Sequence, residues 1–391
     1  MTKKSAAGSG TIRKKTITKN GKQYTYWEAR YSAGRDPGTG KQIQRSISGK
    51  TQKEVSQKLK AISVALDEGT YIAPNKTTVN QWLDIWVNEY LGGVKPLTVQ
   101  TYQCYIEKHM KPAFGATKLT DLTPHMIQRF YNDLDLSPKT VKNIHSILHS
   151  ALQQAVENRL LAINPTDACK LPKIEKYEIK PLEPQQIALL LEEASADNYA
   201  NLFTVAIFTG MRQGELLGLT WENVNFDTGT ITVKQQLQCK DGTYFLQTPK
   251  NGKSRVIVPA QVAMDALRDE KEKQARNQRT YGECWQNPDN YVFTDALGKH
   301  LVRRTVVKHF KAVSGRAGIE NVRFHDLRHS FAVNSLMIGD DVKTVQANLG
   351  HATASFTLDV YGHVTQKMQN DSAARMQQFF NAIREKARET A

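Results

Sequence analysis

Side chains able to do chemistry crowd one stretch near the C-terminus. From His325 to Tyr361, 37 residues, the chain reads HDLRHS, then LGHAT, then LDVYG, with His363 just beyond. Arg328 is a permanent cation whose planar donor fork can grip a phosphate. His325, His329 and His351 are imidazoles able to move protons near neutral pH. Tyr361 is a phenol able to act as a nucleophile once deprotonated. His325 and Arg328 stand three residues apart, so on a helix they share a face and can meet one phosphate oxygen together.

A rival chemistry fits the first five of these residues. His325 and His329 have the i,i+4 spacing of a zinc-binding H-E-x-x-H helix. Against zinc, the general-base glutamate is replaced by the shorter Asp326, and Arg328 would set a fixed cation beside a dication. Two further candidates lie upstream. Arg212 follows Gly210 in TGMRQGELLGL, with Glu215 three residues on and able to orient the guanidinium. Lys250 lies in QTPKNGKSRVIVP, at the tip of an expected β-hairpin, and Lys253 is equally placed on local grounds. Taken singly, each has an ordinary reading: a helix-start salt bridge, a solvated turn lysine, a structural histidine pair, a packed tyrosine.

These groups need a scaffold, and punctuation in the chain supplies its outline. Residues 11–18, 24–32 and 41–48 alternate polar and β-prone residues, and Asn20-Gly21 is a two-residue hairpin signal. Thr51 with Glu54 fits a capping box; Val55, Leu59, Ile62 and Leu66 follow at helical spacing, and Gly69 ends the helix. A three-stranded sheet with one helix behind it is expected, its open face carrying Arg, Lys and aromatic side chains. Tyr71 to Lys76 reads as a linker. Residues 78–161 read as all helical, with one helix marked by Trp82, Ile85, Trp86 and Tyr90. A second follows Pro96, a third starts near Pro124, and a long fourth opens at Pro138. Asn164-Pro165 through Pro181 reads as a second, extended linker. Beyond it, residues 182–391 read as one mixed domain with strands near Thr230 to Gln236, Gly242 to Leu246 and Arg255 to Pro259. No internal repeat or low-complexity segment is visible.

Length, at 391 residues, calls for two or three domains. No run of about 18 apolar residues is present, and MTKKSAAGSG lacks the apolar core of a secretory signal; the expected location is the cytosol, on no membrane. Cys104, Cys169, Cys239 and Cys284 lie 65, 70 and 45 residues apart, too far for a metal-ligand pattern, and are expected to be reduced. The net charge of +15 is concentrated: residues 1–66 hold 15 Lys and Arg against 3 Asp and Glu. A basic module on a nearly balanced body points to a polyanion-binding arm.

In chain order, Arg212 with Glu215, Lys250, His325-x-x-Arg328, Gly350-His351 and Tyr361 together resemble the signature of the tyrosine recombinase (phage integrase) family. The choice of Lys250 over Lys253 rests on Thr248-Pro249 before it and Ser254-Arg255 after it. The resemblance extends to the helical bundle, similar to the family's core-site-binding domain, and to the N-terminal module, similar to the arm-binding domain of integrases from phages and integrative or conjugative elements. It implies a multidomain α+β chain: residues 1–70 as an arm-type DNA-binding domain of three strands and a helix, 76–164 as an all-helical core-site DNA-binding bundle, and 181–391 as a mainly α catalytic domain with a small antiparallel sheet. It further implies catalytic roles for Arg212, Lys250, His325, Arg328, His351 and Tyr361, with Tyr361 attacking a DNA phosphodiester to give a 3′-phosphotyrosine. No metal and no cofactor is implied, because the arginines carry the charge and the phosphotyrosine conserves the bond energy. The expected partners are double-stranded DNA at core-type and arm-type attachment sites and three further copies of the chain on two DNA sites, docked through a tail bearing Met376, Phe379, Phe380 and Ile383. An excisionase and a host DNA-bending protein are expected accessories. Alternative readings are a resolvase or invertase of the same family, a non-catalytic DNA-binding regulator, and the zinc hydrolase considered above.

Overall fold

The computed structural model describes residues 11–19, 21–35, 38–68, 71, 75–175, 180–249 and 252–350, with a few positions in 370–383. It divides into two compact units, Met1–Lys176 and Tyr177–Ala391. Among the described residues no helix is long and apolar enough to cross a membrane.

The first unit opens with β1 (Thr11–Lys19), β2 (Lys22–Arg35) and β3 (Gln42–Gly49), an antiparallel sheet in that order, followed by α1 (Gln52–Asp67). Lys19 pairs with Lys22, so the loop between them is two residues long, and Gly21 takes the φ of +72° that such a turn requires. The Thr51 hydroxyl caps α1 by accepting from Glu54 N, but the Glu54 carboxylate accepts from Lys50 N, one residue outside the expected box. Ala29, Tyr31 and Val55 form the buried contact of sheet and helix. By strand alternation the opposite face carries Arg13, Lys15, Tyr24, Tyr26, Glu28 and Arg30.

The bundle follows: α2 (Val79–Glu89), α3 (Pro96–Tyr105), α4 (Lys111–Phe114), α5 (Pro124–Asp133) and α6 (Pro138–Glu157). In α6 the expected apolar face, Val141, Ile144, Ile147, Leu148, Ala151, Leu152 and Ala155, is buried throughout. In α2 the buried positions are Val79, Trp82, Leu83 and Trp86, whereas Ile85 is exposed. Pro112 does not stop its helix. A π-helical turn at Ile106–Met110 joins α3 to α4 and widens the ring, with Lys111 N reaching back to Ile106 O, so the proline's missing N–H is accommodated. The second linker also begins later than expected. Asn164 Oδ1 accepts from Thr166 N and Oγ1 at 3.1 and 2.6 Å, and Cys169 and Leu171 pack on the bundle core.

The second unit holds α7 (Pro184–Ala194), α8 (Ala200–Thr209), α9 (Gln213–Leu217), the strands β4 (Val224–Asn225), β5 (Thr230–Val233), β6 (Gln236–Lys240), β7 (Thr243–Gln247) and β8 (Arg255–Ile257), and the helices α10 (Gln261–Tyr281), α11 (Arg303–Arg316), α12 (Asp326–Ile338) and α13 (Val342–Leu349). Where one strand was expected over 230–236 there are two, β5 and β6. β5 pairs with β4 and β8, while β6 pairs with β7, giving one long bent hairpin. Its tip is Asp241-Gly242, both at positive φ. A core running from Leu182 and Leu190 through Phe203, Phe310 and Phe324 to Leu327 joins the helices to the sheet.

Candidate active site

Four element ends meet at the site: the C-terminus of α8, the first turn of α9, the start of β8 and the C-terminus of α13, with α12 running behind them. α8 ends at Gly210, whose φ of +60° suits a residue without a Cβ. Space enforces the same choice, since a Cβ there would lie 2.6 Å from Phe331 and 2.8 Å from Leu349. This tight seat puts Arg212 two residues later at the N-cap of α9.

Glu215, 1% exposed, organises the first guanidinium. Its carboxylate accepts from Arg212 N (3.0 Å), Arg212 Nη1 (2.8 Å), Arg255 Nη1 (3.1 Å) and Arg255 Nη2 (2.7 Å). Burial alone would raise its pKa; the Arg255 hydrogen bonds and charge, with those of Arg212, outweigh burial and hold the carboxyl at about 2. The i,i+3 pairing read from the sequence is therefore made, and a second arginine shares the acceptor.

Arg328, in the first turn of α12, is 3% exposed and donates from Nη1 to Gly210 O (2.8 Å) and from Nη2 to Leu349 O (2.6 Å). Arg212 Nη2 lies 3.5 Å from Gly350 O. Two arginines 116 residues apart in sequence thus meet at one helix end. His325 is the N-cap of α12 and stacks edge to face on His329, ring centroids 4.9 Å apart. Enclosure on its protein side, then His329, Arg328 and Arg212, depress its pKa to about 4. The ring itself keeps an accessible face, and the cations alone argue the same direction. A lowered pKa favours the neutral ring, whose free nitrogen lone pair can accept a hydrogen bond or a proton.

Asp326 would have to serve as the base of a zinc helix. It is 4% exposed and occupied by Arg323, accepting from Arg323 N at 2.8 Å and Nη2 at 2.8 Å. α12 also anchors the start of the unit: Ser330 Oγ accepts from Leu182 N, and Asn334 Nδ2 donates to Leu182 O.

Of the six expected site residues, the structure brings Arg212, His325 and Arg328 together. Lys250, His351 and Tyr361 lie outside the described residues. Gly252 N donates to Pro249 O at 2.8 Å. Sequence reasoning named Arg255 only as a neighbour of Lys250 and gave it no role. Its partners Glu215 and Asn348 are 40 and 93 residues away, beyond any local pattern.

With this geometry in hand, comparison with known proteins is informative. Residues 180–368 match the Phage integrase family and residues 78–134 match the Phage integrase N-terminal SAM-like domain. The chain is 28% identical to a protein named tyrosine recombinase XerC-like from Caldanaerobacter subterraneus subsp. tengcongensis, over 94% of this chain and 99% of that one. It is 26% identical to the ICEBs1 integrase of Bacillus subtilis, over 88% of this chain and 95% of that one. Among solved structures, the Tn1549 transposon integrase in complex with a circular intermediate DNA superposes with a TM-score of 0.66 at 20% identity, covering 77% of this chain and 99% of that one. A lambda integrase tetramer bound to a Holliday junction gives 0.57 at 20% identity, covering 87% and 94%. At this identity the two structures speak for a shared fold.

Proposed function

Because the chain belongs to the phage integrase family of tyrosine recombinases, we propose that it is a site-specific DNA recombinase that integrates, and excises, a mobile element or prophage. The observation that carries this is the convergence of Arg212 and Arg328 on the end of α13, twelve residues before Tyr361 in sequence.

Attack on a phosphodiester builds negative charge on its two non-bridging oxygens. Arg212 and Arg328 can each present a planar, permanently charged donor fork to them, and loss of one such preorganised donor typically costs about 100- to 1000-fold in rate. Tyr361, with an intrinsic pKa of about 10, needs an acceptor for its proton; His325 is the candidate, provided that the positive field of Arg212 and Arg328 also favours the phenolate. The Tyr361 oxygen bonds to phosphorus, the bond to the 5′ oxygen breaks, and Lys250 delivers a proton to that leaving oxygen. His351 hydrogen-bonds a phosphate oxygen. A 5′ hydroxyl from a second duplex then reverses the step and displaces the tyrosine.

The same reading assigns residues 1–70 to arm-type sites, 76–164 to core-type sites and 181–391 to strand cleavage and exchange. The open face of the N-terminal sheet, with Arg13, Lys15, Arg30, Tyr24 and Tyr26, supports the first. Met376, Phe379, Phe380 and Ile383, each between 49% and 67% exposed, support a tail that docks on another copy in a tetramer assembled on two DNA sites. An excisionase and a host DNA-bending protein would set direction. The chain would act in the bacterial cytoplasm, on DNA.

Incubating the protein with a nicked duplex carrying the element's end joined to flanking chromosomal DNA tests the reading. A denaturation-resistant protein–DNA adduct is expected with wild type and none with Tyr361→Phe. An adduct that persists in Tyr361→Phe sinks the nucleophile assignment, and no adduct with wild type sinks the recombinase reading.

A further inference from the structure

Arg255 has no part in the chemistry above, yet it joins three elements of the site. It opens β8, the strand that follows Lys250 in sequence, and its side chain is 10% exposed. Nη1 and Nη2 form a two-pronged pair with the Glu215 carboxylate at 3.1 and 2.7 Å. Nε donates to Asn348 O, in the last turn of α13, at 2.8 Å. Gly350 leaves that helix at φ +63° so close to the guanidinium that a Cβ would lie 3.0 Å from Arg255 Cδ and 3.0 Å from Nη1. The three successive carbonyls of Asn348, Leu349 and Gly350 are thus held in turn by Arg255, Arg328 and Arg212.

We propose that Arg255 is a positioning residue for strand cleavage, fixing the Arg212 guanidinium through Glu215 and setting, through the Asn348 carbonyl, the end of α13 from which the segment with His351 and Tyr361 departs. This rests on the recombinase reading and adds a residue to it. The alternative is that Arg255 only neutralises a buried carboxylate. A rigid planar cation is needed for the first role and not for the second. Lysine keeps the charge beside Glu215 but offers a single ammonium, which cannot hold both carboxylate oxygens and the Asn348 carbonyl in fixed directions. A displacement of about 1 Å in a charged group at a reacting centre costs on the order of 100-fold in rate.

The test is single-turnover cleavage by full-length Arg255→Lys of the nicked duplex described above, measured across protein concentrations. The maximum rate is expected to fall on the order of 100-fold, with the half-saturating concentration within about 3-fold of wild type. A second substrate carries a neutral methylphosphonate at the scissile position. With the negative charge that Arg212 must meet reduced, the ratio of wild-type to variant rates is expected to shrink to under about 10-fold. A variant that cleaves at the wild-type rate overturns the proposal. So does a loss that is equal on both substrates, or one that appears only as weaker binding. If Arg255→Lys does not fold, Arg255→Gln is measured in its place: it leaves Glu215 paired with Arg212 and carries the same expectations. Wild type that forms no adduct removes the recombinase reading, and this inference with it.

Discussion

Glu215 is where burial and charge compete most directly. Desolvation pushes its pKa up, and four hydrogen bonds from two arginines push it down and win, to about 2. The folded pKa lies below the unfolded one, so between about 4.5 and 2 the unfolded chain binds more protons. The stabilisation is complete above about pH 4.5 and is lost as pH falls towards 2. Glu215→Gln is expected to cost about 3 kcal/mol at pH 7, because two part-buried guanidiniums lose a shared, buried acceptor. In urea denaturation the gap between wild type and variant should narrow from pH 5 to pH 3; a gap that stays constant with pH would contradict the ion network. What was legible at this scale was short-range: the i,i+3 pair of Arg212 with Glu215 is made as read, and His325 lies close enough to Arg328 to feel its charge. Arg255 was not legible as a hub, since nothing within its own strand distinguishes it from a solvated arginine.

At the level of elements, the site depends on how α8, α12 and α13 approach one another. Gly210 sets that distance. Gly210→Ala would place a side chain in the left-handed region and drive its Cβ into Phe331 and Leu349, at 2.6 and 2.8 Å. The expected cost is about 2–4 kcal/mol, and it moves both carbonyls that hold Arg328, on Gly210 and on Leu349. A lower thermal midpoint together with slower adduct formation is expected. An unchanged midpoint would mean that the three helices have slack that the contacts deny. The sequence described helices well where one apolar face runs unbroken, as in α6, and poorly where tertiary pairing decides. The split of β5 from β6 follows from β5 pairing with β4 and β8 while β6 pairs only with β7. The hairpin tip falls at Asp241-Gly242 because both residues accept positive φ.

On the scale of the whole molecule the charge is lopsided, with 15 Lys and Arg against 3 Asp and Glu in residues 1–66 and a body close to neutral. The N-terminal sheet gathers part of this charge on one face around Glu28. That almost covered carboxylate accepts from Lys15 at 2.9 Å, Arg30 at 3.2 Å and Arg13 at 3.3 Å, and the Lys15 hydrogen bond leads in holding its pKa near 2. Three cations are thereby fixed in register on a face that also shows Tyr24, 53% exposed. If this module grips an arm-type site through phosphates, it must release counterions, and the logarithm of the binding constant must fall with the logarithm of salt by about 0.9 per phosphate met. Deleting residues 1–66 is then expected to abolish tight arm-type binding and to make the salt slope of overall DNA binding shallower by roughly 4, the value for four to five phosphate contacts. Cleavage of core-type nicked duplex should survive, because Arg212, Arg328, His325 and Tyr361 all lie in the second unit. Fluorescence anisotropy at a series of salt concentrations, with full-length and truncated protein on the same DNA, measures the slope directly. Equal affinities with equal slopes would show that the basic module meets some partner other than DNA. A truncated chain that binds core-type DNA normally but cleaves none would instead tie the module to the chemistry.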